Sequence, residues 1–267
     1  MSANMKCYDT TSCIRCFSCM IGCSVENRLR MQREESVGVE RTIQNRLMHQ
    51  GHLTPQRREF GIFPNSRQVT AFQHCNHCEN APCLEICPTD AIGRRQGNEV
   101  VITHSVCIGC SSCVDACPFD VPTIVGGKAY KCHSCHDRVE NGLKPSCVTA
   151  CPTDAMFSGL SEEVLKEANK RADLYTKKTG VKHIVYGEKE VNGYVGKLNW
   201  VTIVPQEDLE AYNLDIDPTR LLMQGRDTAK FLGAGASMAV AAGSAMHLMY
   251  WLKKRKEKMK EEEQNHG

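Results

Sequence analysis

Sixteen of the seventeen cysteines in this 267-residue chain fall into four sets of four. The first is Cys13, Cys16, Cys19 and Cys23; the second is Cys75, Cys78, Cys83 and Cys87. The third is Cys107, Cys110, Cys113 and Cys117, and the fourth is Cys132, Cys135, Cys147 and Cys151. Proline follows the last cysteine of the second, third and fourth sets (Pro88, Pro118, Pro152), whereas Ser24 follows the first. Dense disulfide frameworks belong to short secreted chains, and this chain is not short. Disulfides between cysteines two residues apart, repeated along the chain, would be strained. The pattern therefore reads as ligand chemistry.

The third set follows C-x2-C-x2-C-x3-C-P residue for residue, the spacing of the bacterial ferredoxin run. The first has the same spacing, and the second and fourth lengthen the gap before their third cysteine to four and eleven residues. Three cysteines two apart wrap a tight loop whose thiolates converge on three corners of a cubane. The fourth, three residues on and before proline, leads away and reaches a neighbouring cluster, so a two-cluster module exchanges its fourth ligands. Four sets make two modules and four [4Fe–4S] clusters. Zinc is the competing reading: Cys132 and Cys135 with Cys147 and Cys151 could pass for a zinc site, but the tight triplets over-supply a tetrahedral ion. Cys7 lies outside the pattern and reads as a buried small hydrophobe. His74, His77, His104, His133 and His136 read as hydrogen-bonding neighbours of the clusters rather than ligands. Lys128, Lys131, Arg138 and Lys144 flank the fourth set, either to offset the charge of a reduced cluster or as solvated surface charge.

Residues 1–157 thus form a four-cluster region, which includes a cysteine-free, Arg-rich insertion at 26–72, expected on the surface with a helix or two. Residues 158–225 read as a helix–strand–strand extension. Ser161, Glu162 and Glu163 start a helix with an apolar face of Val164, Ala168, Ala172 and Tyr175, which Gly180 stops. Strands are predicted at 181–186 and 198–204, with Asn192-Gly193 as a turn signal between them. In the last part, 226–267, the run Phe231–Leu252 is uncharged over 22 residues. As a helix it would be roughly 33 Å long, enough for a bilayer core of roughly 30 Å. Tyr250 and Trp251 stand at its end as an aromatic belt, followed by a basic tail. Gly235, Ala239 and Gly243 form a small-residue ridge for a partner helix, continued by His247. The fold class expected is α+β: two tandem ferredoxin-like two-cluster modules with insertions, plus one C-terminal transmembrane helix.

The phrases CIRCFSCMIGCSVEN, HCNHCENAPCLEICPTDAI, CIGCSSCVDACPFDVP and KCHSCHDRVENGLKPSCVTACPTDAM cover most of residues 13–156. With them the chain resembles the four-cluster iron–sulfur subunits of dimethyl-sulfoxide-reductase-type molybdenum or tungsten oxidoreductases. The resemblance implies that outer motifs pair with each other and inner motifs likewise. Cys13, Cys16 and Cys19 then share a cluster with Cys151, and Cys23 joins Cys132, Cys135 and Cys147. Cys75, Cys78 and Cys83 share with Cys117, and Cys87 joins Cys107, Cys110 and Cys113. It further implies a non-catalytic electron-transfer role between a molybdopterin or tungstopterin catalytic subunit and an integral-membrane quinone- or haem-binding subunit. The tail after the clusters (HIVYGEKEVNGYVGKLNWVTIV, then EAYNLDIDP) and the C-terminal helix tilt the resemblance toward formate dehydrogenase beta subunits. Iron–sulfur subunits of menaquinone reductase, hydrogenase, polysulfide or thiosulfate reductase complexes stay open.

No constellation for substrate chemistry stands out, and a net charge of +2 gives no field for nucleic acid. Lys253, Lys254, Arg255, Lys256, Lys258 and Lys260 follow the apolar run, against Arg220, Arg226 and Lys230 before it. The positive-inside tendency puts the C-terminus in the cytoplasm and the cluster region on the exoplasmic or periplasmic side. With no export signal read, the folded region would cross with a signal-bearing catalytic subunit; the alternative leaves it on the cytoplasmic face.

Overall fold

A computed structural model describes residues 4–32, 52–64 and 66–214. The chain runs β1 (Asn4–Asp9), α1 (Ser18–Gln32), β2 (Thr54–Phe60), β3 (Arg67–Gln73), α2 (Pro82–Glu85), β4 (Ile92–Arg94), β5 (Val100–Ile102) and α3 (Ser112–Ala116). It continues with β6 (Thr123–Val125), β7 (Lys128–Tyr130), α4 (His136–Glu140), α5 (Ser146–Thr149), β8 (Met156–Leu160), α6 (Ser161–Thr179), β9 (His183–Tyr186) and β10 (Trp200–Pro205).

A four-stranded sheet in the order β8-β1-β10-β9 divides the molecule. β1 is parallel to β10, with Lys6 opposite Trp200, and antiparallel to β8, with Lys6 opposite Ser158. Strand alternation sends Met5 and Cys7 to one face and Lys6 and Tyr8 to the other. On the first face, Met5, Cys7, Val201 and Ile203 pack with Val164, Ala168 and Ala172 of α6. On the second, Tyr8 and Trp200 pack with Cys19, Cys23, Cys75, Cys132 and Cys147. The sheet is therefore the wall between a helix-covered apolar core and the cysteine-bearing side. All of Trp200–Val204 is buried, as expected of a strand covered on both faces.

The helix expected from residue 161 is α6; its buried face is Val164, Ala168 and Ala172, and Gly180 closes it in the left-handed region at φ 74°. The two strands expected after it are β9 and β10, antiparallel neighbours. The stretch joining them does not fold as a tight hairpin. The Asn192 side chain accepts the N–H groups of Tyr194 and Val195, and the loop then reaches across to hold the second cysteine motif. Glu79 N–H donates to the Lys197 carbonyl and Asn80 N–H to that of Val195. Because β10 lies between β9 and β1, residues 158–205 share a sheet with the N-terminus.

Three antiparallel hairpins complete the described fold: β2/β3, β4/β5 and β6/β7. The expected helices in the 26–72 insertion give way, over its described part beyond α1, to β2 and β3. Their charged, alternating surface carries little hydrophobic signal, and Val69 and Ala71 alone of the pair are deeply buried apolar residues. Residues 215–267, with the expected span 231–252, lie outside the described residues; among those described, no helix is long and apolar enough to cross a membrane.

Candidate metal centre

Each cysteine loop turns by the same device. The residue before the second cysteine has a positive φ in all four motifs: Arg15 at 59°, His77 at 48°, Gly109 at 68° and Ser134 at 62°. Such a turn is uncommon outside glycine, and its recurrence at one position marks a constrained loop. At Gly109 a side chain is excluded twice over, because a Cβ would run into the Gly127 carbonyl of the β6/β7 turn. Three residues beyond the fourth cysteine the turn recurs, at Asp90, Asp120 and Asp154 with φ of 51°, 52° and 48°. The first motif departs from this: Cys23 sits inside α1.

Backbone amides also point at sulfur. The N–H groups of His52, Ala129, Ser134 and Met156 lie 3.3, 3.5, 3.4 and 3.3 Å from the sulfurs of Cys23, Cys107, Cys132 and Cys151. Such donors favour the charged form of a thiol and its ligation.

Cysteines of different motifs influence one another. Burial pushes the Cys23 thiol up, and charge on Cys132, Cys147 and Cys135 pushes it further. Cys19 is pushed up to about 12 by burial, then by Cys147, Cys13 and Cys151. Burial, followed by Cys75, Cys117 and Cys83, raises Cys78 well above the usual thiol range. Cys113 is raised by burial and then by Cys107 and Cys110, with Cys87 contributing. Cysteines of different motifs thus lie close enough to act on one another electrostatically. An apolar cavity lies among Cys75, Cys78, Cys83 and Cys117, with Lys131 in its wall. Cys16 and Cys110 stand at the surface, beside the exposed side chains of Ile14 and Ile108.

The residues present fit iron–sulfur clusters. None of the seventeen cysteines is in a disulfide, and thiols raised by burial lose their protons only to a metal that takes the proton's place. Among the described residues, His133, His136 and Asp137 bring ligand atoms within 4.8 Å of one another. Cys7 is fully buried in the α6 core, apart from the sulfur sets. His74 stacks on Trp200 with ring centroids 3.7 Å apart, and burial and then Lys6 lower its pKa to about 3. His77 accepts the Val100 N–H at Nδ1, His104 lies 3.0 Å from the Ala129 carbonyl, and His133 lies 3.0 Å from Asn27 Oδ1.

Of the four basic residues flanking the fourth set, two meet solvent and protein in ordinary ways: Lys144 is exposed, and Arg138 pairs with Glu26 at 2.9 Å. Lys128 donates to the Cys107 carbonyl at 2.5 Å. Lys131 is buried and 3.6 Å from the Cys75 sulfur. Sequence reasoning missed its counterpart, Lys6, whose Nζ lies 3.6 Å from the Cys132 sulfur and 4.1 Å from the Trp200 ring centroid. Burial works against the charge of Lys6, but Cys132, Cys147, Cys135 and Cys75 together outweigh it and raise its pKa. The alternation of Met5, Lys6, Cys7 and Tyr8 was the available signal for that strand.

Residues 68–161 match the 4Fe-4S dicluster domain family. The chain is 35% identical over 196 residues to the thiosulfate reductase electron transfer subunit of Salmonella typhi, covering 69% of this chain and 92% of that protein. It is 32% identical over 198 residues to the iron–sulfur subunit of the nitrate-inducible formate dehydrogenase of Escherichia coli, covering 70% of this chain and 65% of that one. Against a polypeptide of the anaerobic dimethyl sulfoxide reductase of Escherichia coli it is 42% identical over 95 residues, 35% of this chain and 46% of the relative. The family match and these relatives together place the chain in the family of iron–sulfur subunits of dimethyl-sulfoxide-reductase-type complexes, as an electron-transfer rather than a catalytic subunit.

Proposed function

We propose that the chain holds four [4Fe–4S] clusters and relays single electrons between a molybdopterin or tungstopterin catalytic subunit and an integral-membrane quinone- or haem-binding subunit. The ligand sets are Cys13, Cys16, Cys19 and Cys151; Cys23, Cys132, Cys135 and Cys147; Cys75, Cys78, Cys83 and Cys117; and Cys87, Cys107, Cys110 and Cys113. The observation that supports this is that cysteines of different motifs act on one another electrostatically, Cys23 with Cys132, Cys135 and Cys147, and Cys78 with Cys117. When bound, the clusters supply one-electron redox chemistry whose potential depends on charge, hydrogen bonds and burial. The chain's own residues ligate through thiolate and donate amide N–H groups to sulfur. Cys16 and Cys110, exposed beside apolar side chains, belong to the two sets that open to partners.

The partner enzyme is taken to be a formate dehydrogenase. Support comes from the formate dehydrogenase relative and from the stretch after the clusters, which folds as β9, its loop and β10. A thiosulfate-reducing complex is the second reading, favoured by the match over 92% of the thiosulfate reductase subunit. The uncharged run 231–252 serves as a single membrane anchor, and the excess of positive charge after it puts the C-terminus in the cytoplasm and the clusters outside.

Anaerobic purification in detergent from the native membrane tests the reading through iron and sulfide content, EPR and the co-purifying chains. About sixteen irons per chain with interacting cubane signals are expected, together with a molybdopterin protein. About one zinc per four cysteines, in a colourless protein, would overturn it.

A further inference from the structure

Lys6 and Lys131 are 4% and 6% exposed, and each ammonium lies beside a cysteine sulfur. Lys6 Nζ approaches the Cys132 sulfur to 3.6 Å, and β1 and the Trp200 ring hold it there. Lys131 Nζ approaches the Cys75 sulfur to 3.6 Å. It also donates to the carbonyls of Val100 and Cys132, and it walls the cavity among Cys75, Cys78, Cys83 and Cys117. Lys131 thereby bridges two thiol sets, one through its side chain and the other through its neighbour in sequence. Among the described residues, no carboxylate lies within 4.0 Å of either ammonium. A buried charge without a partner is strongly disfavoured, so the charge that balances these two must come from the sulfurs and what they bind.

We propose that Lys6 and Lys131 set the reduction potentials of two adjacent clusters, that of Cys23, Cys132, Cys135 and Cys147 and that of Cys75, Cys78, Cys83 and Cys117, and so ease electron passage across the boundary between modules. This rests on the ligand sets given above. Each electron that crosses adds one negative charge to the accepting centre and removes one from the donating centre; no atom moves and no other reactant is needed. A fixed positive charge beside a ligand sulfur stabilises the more negative form and raises the potential. Burial keeps dissolved ions from screening it. Lys6 and Lys131 are positioning residues for charge; neither touches a substrate.

The test is EPR-monitored redox titration of the full chain in its purified complex, with iron counted in every sample. K6M and K131M are compared with K6R and K131R, and C132S and C75S identify which signal belongs to which centre. The expected result is full iron content and at least a tenfold fall in the reduction equilibrium constant of the adjacent centre, about 59 mV for one electron. The other two centres move less, and the arginine variants stay near the wild type. Reduction equilibrium constants within twofold of the wild type in K6M and K131M overturn the proposal, as does an equal shift of all four centres. Should K6M or K131M lose iron, the glutamine and arginine variants decide: a lowered potential in K6Q or K131Q, restored by arginine, supports the proposal. Iron loss in every variant gives the lysines a structural role instead. Wild-type protein without about sixteen irons sinks the ligand assignment rather than this inference.

Discussion

The inner and outer cysteine pairs are built in opposite ways. The inner pair, motifs two and three, closes locally: the β4/β5 hairpin alone carries the chain from Cys87 to Cys107, with Ala91, Ile92 and Val100 buried against Cys83, Cys107 and Cys113. Both motifs end in the same proline turn with a left-handed Asp, Asp90 or Asp120. The outer pair joins residues more than a hundred positions apart and depends on long-range contacts. Helix α1 packs on α5, where Ser146 Oγ donates to the Gly22 carbonyl at 2.8 Å. Strand β1 leads into the first motif only because β8 and β10 flank it. Local closure costs little chain entropy, whereas the outer centre must be held by a sheet and two helices. The outer half is therefore the one that mutations in the scaffold should damage first.

The largest effect is expected from Trp200→Ala. Trp200 is 2% exposed, stacks on His74 and lies under Lys6, so it serves the seam between the halves. Its loss should cost about 3–5 kcal/mol, read as a lower thermal midpoint of the anaerobic complex. An unchanged midpoint would show that the sheet face is not the brace described.

Asp9→Ala comes next. Asp9 is fully buried and accepts the N–H groups of Thr11 and Ser12 at 3.0 and 3.1 Å and the Tyr175 hydroxyl at 2.8 Å, with Arg171 at 3.4 Å. It fixes the turn that delivers Cys13. Hydrogen bonds to a charged group are worth about 1.5–3 kcal/mol each, although they do not add, and a loss of about 2–3 kcal/mol is expected. Iron release on mild heating should begin at the outer centres, leaving the inner EPR signals.

Gly22→Val separates the halves most cleanly. A Cβ there meets the Ala150 Cβ at 2.9 Å and the Ser146 carbonyl oxygen at 3.1 Å. Overpacking of about 1–3 kcal/mol should push α1 from α5 and lower iron content toward about half, with the inner centres intact. Equal loss from both halves would break the distinction. The smallest effect belongs to Arg95→Ala, which removes the exposed pair with Glu140 at 2.9 Å, a link from the inner hairpin to α4. A change of under about 1 kcal/mol, vanishing in high salt, is expected in the same thermal scan.

Reading the chain alone gave the course of α6, because an amphipathic helix is a local pattern. Val164, Ala168 and Ala172 are the buried face that their spacing announced. The β2/β3 hairpin was not legible, since the run Gln56-Arg57-Arg58-Glu59 has the polarity of a surface loop and its strand state depends on the pairing partners Gln68–Ala71 further along the chain. β1 was missed for a related reason: six residues containing Lys6 and Asp9 do not look like the middle of a sheet until β8 and β10 enclose them.

Spacing along the chain was enough to establish a metal-binding chain of four motifs, since three thiols two residues apart have few other uses. Which charges stand beside the sulfurs came from distant segments meeting in space. Lys6 looks like an ordinary N-terminal lysine, and Lys131 like one of several flanking cations, until the sheet and hairpins bury them against Cys132 and Cys75. Burial turns a surface charge into a fixed field, and burial belongs to the packed molecule rather than to any stretch of its sequence.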